Sequence, residues 1–106
     1  WWQFLADGDV QPYFPEGFPG WDREHAARVE TAIMLAVAPD MVRPIPKDPI
    51  DPVEVESVTI SPHEPSEVPR QGSLADPRGA SREMGEQLGA LIVERFTRAI
   101  TRRLLA

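Results

Sequence analysis

Residues 17–42 read GFPGWDREHAARVETAIMLAVAPDMV, an aromatic loop rich in glycine and proline that runs directly into an amphipathic segment. Asp22 is a suitable helix N-cap, and the acidic Glu24 that follows suits the positive end of a helix dipole. Pro39 ends the segment, because proline cannot continue a helix. One face of the segment is apolar through Val29, Ile33, Met34 and Val37. These features predict a helix over residues 22–38.

The adjacent pair Glu24–His25 falls at the start of this helix, directly after the aromatic loop. A histidine in that place can act as a general acid or base near neutral pH, and a neighbouring carboxylate can orient it. The alternative is a purely structural pair, a surface glutamate beside a histidine bonded to the backbone. Spacing alone favours the structural alternative.

Proline interrupts the chain on both sides of this segment, and all 12 prolines lie between residues 12 and 77. Residues 1–21 are predicted to form a structured aromatic loop, which begins at residues 1–6 with a run typical of the end of a buried strand. Residues 39–80 are predicted to be Pro-rich loops around one strand near 53–60, where apolar and charged side chains alternate.

The C-terminal residues 81–105 contain no proline, and Ser81 can cap a helix. Apolar side chains recur there at steps of one, three or four positions, which predicts one long amphipathic helix. Gly85 and Gly89 lie inside this helix and are too weak a pattern for a phosphate loop. They are more typical of a close approach to a second helix.

The composition excludes several classes of protein. The 106 residues carry 11 Lys and Arg against 17 Asp and Glu, a net charge of −6, whereas nucleic-acid binding needs a basic face. The absence of cysteine excludes disulfides and thiolate chemistry. We see no secretory signal and no apolar run long enough to span a bilayer, so we expect a cytoplasmic protein without a membrane partner. A chain that opens on two tryptophans is expected to be a piece of something larger.

Three further side chains are candidates for a site. Trp2 and Trp21 lie on irregular segments and form either a small satellite core or the walls of a slot for a flat ligand. Glu30 would face inward beside the apolar stripe, so its carboxylate needs a partner, either backbone groups or a neighbouring site residue. Only two histidines are present, at positions 25 and 63, without metal-ligand spacing, so a complete metal centre within this chain is not expected.

The run from Gly17 to Ala36 resembles the creatininase (creatinine amidohydrolase) family. The family hallmark is Glu/Asp-x-His-(Ala/Gly)-Gly-x-x-Glu-Thr-Ser, an apolar helix, and then Pro-Asp/Glu-x-Val, which residues 39–42 complete. Residues 80–86, ASREMGE, are similar to the family's Ala-Ser/Thr-x-Glu-Lys-Gly-Glu start of its last helix. The two motifs occur in the family's order, and the resemblance covers essentially the whole chain as the C-terminal part of one family domain.

The resemblance implies a fold and a set of roles. The fold would be a three-layer α/β/α arrangement of the α/β class, to which this chain contributes a late strand, loops and two helices. His25 and Glu24 would be the catalytic pair, with His25 moving a proton to the leaving nitrogen. Trp2, Trp21 and Asp22 would bind substrate, with Trp21 on a mobile flap and Glu30 behind the catalytic pair.

The resemblance also implies partners. Two divalent metal ions, zinc or manganese, would be bound by ligands from an N-terminal half, on a separate or cleaved chain, and the enzyme would be active only with that half. The assembly would be a homo-oligomer, a hexamer by resemblance. The reaction would be metal-dependent hydrolysis of a C–N bond in creatinine or a similar cyclic amide.

Alternatives to this function remain at the level of sequence. The substrate could be a formamide or a short peptide, or the chain could be a non-catalytic structural subunit. The chain also departs from the family pattern at Ala27, Ala32 and Arg28, where Arg28 replaces a small or apolar residue beside the site. These departures concern the substrate more than the class of reaction.

Overall fold

A computed structural model describes residues 1–54 and 71–105. The α-helices in chain order are α1 (Asp7–Val10), α2 (Arg28–Val37) and α3 (Arg82–Leu104). Single 3-10 turns lie at Trp2–Phe4, Gln11–Tyr13, Trp21–Arg23 and Pro39–Met41. The long α3 begins where the sequence predicts, because the Ser81 side chain accepts the backbone N–H of Met84.

Two local predictions are wrong. Residues 1–6 are not the end of a strand, since Trp2–Phe4 forms a 3-10 turn closed by the bond from the Leu5 N–H to the Trp2 carbonyl. The second helix begins at Arg28, not at Asp22, because a 3-10 turn and a left-handed residue, Ala26 with φ 48°, intervene.

The predicted strand near 53–60 lies outside the described residues from position 55 onward. Val53 and Glu54 are not in a strand, although the Val53 N–H donates to the Leu74 carbonyl at 2.8 Å. The ranges 1–54 and 71–105 contain no strand, so the predicted α/β layering is not seen within them.

The core lies where α2 crosses α3 and is closed by the N-terminal turns. Val29 and Ala32 of α2 meet Met84 and Leu88 of α3, all with almost no exposed surface. Leu5, Val10 and Phe14 cover one side of this cluster. Gly85 allows the close approach, because a Cβ at that position would lie 1.8 Å from the Ala32 carbonyl oxygen.

The second half of α3 extends beyond this core. The predicted apolar stripe continues along it, but its members Phe96, Ile100 and Leu104 are 40–75% exposed, as is Val93 beside the stripe. The rings of Phe96 and Phe4 meet in a T-shaped arrangement, with centroids 5.5 Å apart. The ion pair of Arg95 with Asp9, at 2.6 Å, ties this half of α3 to α1.

Candidate active site

His25 lies on a turn whose backbone is held from two directions. The His25 carbonyl accepts the Leu74 N–H at 3.1 Å, and the next N–H, that of Ala26, donates to Glu30 Oε2 at 2.5 Å. The Ala26 carbonyl accepts the Ser73 hydroxyl at 3.0 Å. The His25 side chain itself is exposed. The turn therefore presents an imidazole to the outside from a fixed backbone.

Glu24 binds the first turn of α2. Its Oε1 accepts the Val29 N–H at 2.8 Å and its Oε2 accepts the Glu30 N–H at 3.0 Å. Burial raises the pKa of the Glu24 carboxyl, and the nearby Glu30 charge raises it further, against the opposing effect of the two N–H groups. Because Ala27, the residue at the N-cap, has no side-chain acceptor, Glu24 does the capping from three residues farther back.

The aromatic residues form a cluster beside this turn. Trp21 meets Trp1 edge-on with centroids 6.5 Å apart and Phe18 at 4.9 Å, and its indole N–H donates to Asp7 Oδ1 at 2.8 Å. The sequence-predicted partner, Trp2, is 51% exposed. Thus Trp1, which sequence reasoning passed over, contacts Trp21 where Trp2 was expected.

The remaining predicted site residue, Asp22, is exposed within the 3-10 turn Trp21–Arg23. The neighbouring Arg23 anchors that turn by donating to the Val53 carbonyl at 2.9 Å and to the Pro19 carbonyl at 3.2 Å. The turn that carries Trp21 and Asp22 is therefore tied to the Pro-rich connection.

Arg28 has a structural environment. Its guanidinium donates to the Tyr13 and Arg78 carbonyls, pairs with Glu16 at 2.6 Å, and lies 4.5 Å from the centroid of the Phe14 ring. It is 8% exposed. Arg28, a departure from the family pattern, therefore binds loops together, and each of its three guanidinium nitrogens has a partner in them.

Two adjoining clefts flank the turn on its α2 side, with volumes of about 230 and 240 Å³. They share Ala26, Thr31 and Val42, and Glu30 lies in the wall of the first. Neither is lined by His25 or by the tryptophans, so the described residues place the candidate catalytic side chain at a surface outside both clefts.

Residues 1–54 and 71–105 hold no group of three His, Asp or Glu side chains able to bind a metal ion. The donor set that a divalent metal needs is thus incomplete in this part of the chain. Across the same ranges, no helix has the length and apolar character needed to cross a membrane.

Comparisons with known proteins agree with the motifs. The family model for creatinine amidohydrolase matches residues 11–100. The creatinine amidohydrolase of Pseudomonas putida is 37% identical over 100 residues, which cover 93% of this chain and 38% of that protein. This chain thus spans about two fifths of the length of that relative.

Solved creatininases share the fold of this chain. A manganese creatininase superposes with a TM-score of 0.85 at 34% identity, covering 96% of this chain and 40% of that one. A creatininase variant complexed with creatine gives a TM-score of 0.82 at 35% identity, with the same coverage. Other solved creatininases include a Zn–Zn form and variants in which one of two tryptophans, twenty positions apart in that protein, is replaced.

The resemblance inferred from residues 17–42 and 80–86 is thereby confirmed by a family match over most of the chain and by the superposition of its helices. The chain belongs to the creatininase family.

Proposed function

We propose that this chain provides the proton-transfer turn and the aromatic substrate wall of an amidohydrolase that cleaves a C–N bond of creatinine or a similar small cyclic amide. The observation that carries the proposal is His25, an exposed imidazole on a turn held by Leu74, Ser73 and Glu30. Such a side chain is free to meet a ligand while its backbone stays fixed.

The proton transfer follows from the chemistry of amide hydrolysis. Water oxygen bonds to the carbonyl carbon, the C–N bond of the ring breaks, and the nitrogen freed by ring opening must gain a proton to become an N–H of the open-chain product. His25 as imidazolium donates that proton from a ring nitrogen, and the proton released by the attacking water restores it. A positioned general acid of this kind contributes about 10²–10⁴-fold to the rate.

The substrate wall is formed by Trp1 and Trp21. Their planes are 80° apart, and Asp7 fixes the indole of Trp21, which gives two aromatic surfaces at a defined angle. Large aromatic faces favour a small planar ring. The two are also twenty positions apart, as are the two tryptophans replaced in the creatininase variants. In this proposal Trp1 takes the role that the sequence assigned to Trp2, and Asp22 lies at the edge of the wall.

The metal ions belong elsewhere in the family fold. In line with the manganese and Zn–Zn forms of solved creatininases, we assign the ligands of two divalent ions, zinc or manganese, to the part of the family fold that this chain does not cover. That part would also complete the α/β/α layers, and the whole would assemble as a homo-oligomer. We call the chain together with that part the assembled hydrolase.

The test uses the assembled hydrolase with creatinine as substrate and creatine as the measured product. We expect turnover, a raised KM for Trp21→Ala, and a larger rise in KM for Trp1→Ala than for Trp2→Ala. Turnover of a formamide or a short peptide in place of creatinine would overturn the substrate class. A folded, metal-loaded assembly without any amidohydrolase activity would leave the chain a structural subunit.

A further inference from the structure

The peptide group between His25 and Ala26 is held by a hydrogen bond on each of its two edges. Its carbonyl oxygen accepts from the Leu74 N–H at 3.1 Å, and its N–H donates to Glu30 Oε2 at 2.5 Å. Because a peptide group is planar, two bonds on opposite edges fix its rotation. That rotation sets ψ of His25 and φ of Ala26, and with them the direction in which the His25 Cβ leaves the chain.

The turn is also strained at that point. Ala26 has φ 48°, a left-handed conformation in which the Cβ of an L-residue crowds the backbone. Glycine would adopt it without cost, but this chain carries alanine. Such a conformation persists only where surrounding contacts hold it, and the charged acceptor on the Ala26 N–H is the strongest of these contacts.

Glu24 keeps the Glu30 carboxylate available for this task. The Glu24 carboxylate takes the N–H groups of Val29 and Glu30, which are unpaired donors at the start of α2. Glu30 therefore does not cap its own helix, and it reaches back across the turn to Ala26.

We propose that Glu30 is a positioning residue for His25, which acts by holding the His25–Ala26 peptide in its left-handed turn, and that Glu24 supports it as the cap of α2 and is not a catalytic residue. This inference rests on the proposed role of His25. Glu30 reaches the reaction only through the backbone, so the conservative Glu30→Gln, which keeps an acceptor oxygen, preserves the arrangement.

The experiment compares four variants of the assembled hydrolase: Glu30→Ala, Glu30→Gln, the double variant Glu30→Ala/Ala26→Gly, and the control Glu94→Ala. The control removes an exposed glutamate whose described partner is Arg98 of the same helix. For each folded variant, kcat and KM with creatinine are measured, together with the hydrogen-exchange rate of the Ala26 amide.

We expect Glu30→Ala to lower kcat by about 10–100-fold with KM changed by less than threefold, because misplacement of a catalytic group acts on the chemical step. Exchange of the Ala26 amide should become at least tenfold faster. Glu30→Gln should stay within threefold of the parent kcat. Ala26→Gly removes the strain that Glu30 opposes, so the double variant should regain at least threefold in kcat.

Two results would overturn the inference. One is that folded Glu30→Ala keeps the parent kcat although His25→Ala inactivates the same enzyme. The other is a lowered kcat that neither Gln at position 30 nor Gly at position 26 restores, which would give the Glu30 charge a direct part in the reaction. Failure of the proposed function gives a different result. In that case His25→Ala keeps full activity, whatever the exchange rate of the Ala26 amide.

Discussion

Gly85 is the residue on which the packing of α2 against α3 depends most, and Gly85→Ala should destabilise the protein strongly. The added Cβ would lie 1.8 Å from the Ala32 carbonyl oxygen, 2.5 Å from its carbon and 3.0 Å from the Ala36 Cβ. Ordinary van der Waals contact begins at 3.4 Å. The nearest atoms belong to helical backbone, so the two helices would have to separate by more than about 1 Å, which is a severe case of overpacking.

Two opposing effects decide how much Gly85→Ala changes the free energy of unfolding. Alanine is a better helix former than glycine by about 0.5–1 kcal/mol. Overpacking costs about 1–3 kcal/mol and more where backbone cannot yield, and separation would also loosen Val29 and Leu88 in the core. The net loss should be about 2–3 kcal/mol. Gly89→Ala is the matched control, because a Cβ there meets nothing within 4 Å, and it should gain about 0.5–1 kcal/mol.

Thermal unfolding of the assembled hydrolase, followed by far-ultraviolet circular dichroism, measures both variants. A change of 1 kcal/mol shifts Tm by about 2–4 °C in a protein of this size class. Gly85→Ala should therefore lower Tm by about 5–10 °C, while Gly89→Ala should raise it by about 1–4 °C. A Gly85→Ala variant as stable as its parent would refute the helix contact on which the fold rests.

Three further substitutions probe the charges that tie the loops to the helices. The hydrogen bond from Arg95 holds the pKa of Asp9 below its ordinary 3.8. The stability that Asp9 contributes is therefore present above pH 3.8 and is lost as pH falls through the lowered pKa. Asp9→Asn should make Tm less dependent on pH in this acid range. The pH dependence of stability has the opposite sign for Glu24, because burial raises the pKa of its carboxyl. The stability that Glu24 contributes is greatest below the ordinary pKa of a glutamate and declines as pH rises through the raised pKa. Glu24→Gln should remove that decline in Tm. Arg28→Met leaves two half-buried carbonyls without a donor and should cost about 2–3 kcal/mol in urea denaturation, whereas a cost near zero would show that its bonds are dispensable.

Features set by local chemistry are the ones that sequence reasoning predicts well. Ser81, the absence of proline after it and the spacing of Met84 and Leu88 are all local, and α3 begins within one residue of the expected place. Of the two glycines interpreted as a close helix approach, Gly85 lies at the contact with α2, whereas a Cβ at Gly89 would meet nothing within 4 Å. The family was predicted from short motifs, because residues 17–42 keep the order and spacing of the family's motif residues.

The start of α2 depends on distant contacts and could not be predicted from its own residues. Asp22 is a good N-cap by type, yet the helix begins six residues later, because Ser73 and Leu74 hold the turn at His25 and Ala26. A left-handed alanine leaves no mark in the sequence, since glycine is the residue that normally signals that conformation.

The aromatic contact of Trp21 was predicted only in part. Two adjacent tryptophans at positions 1 and 2 offer the same side chain to the same region, and only the 3-10 turn that follows decides which one meets Trp21. The environment of Arg28 was missed for a similar reason, since its partners Tyr13 and Arg78 lie 15 and 50 residues away.

The central claim is that His25 donates the proton to the leaving nitrogen, and chemical rescue tests it most directly. The kcat of His25→Ala in the assembled hydrolase is measured with creatinine, without and with added imidazole, alongside its metal content and Tm. We predict a loss of at least about 100-fold in kcat with metal content and Tm unchanged, and a saturable recovery as imidazole fills the vacated space. A variant that keeps more than about a tenth of the parent kcat, or that imidazole fails to restore, would contradict the claim and leave His25 a structural residue.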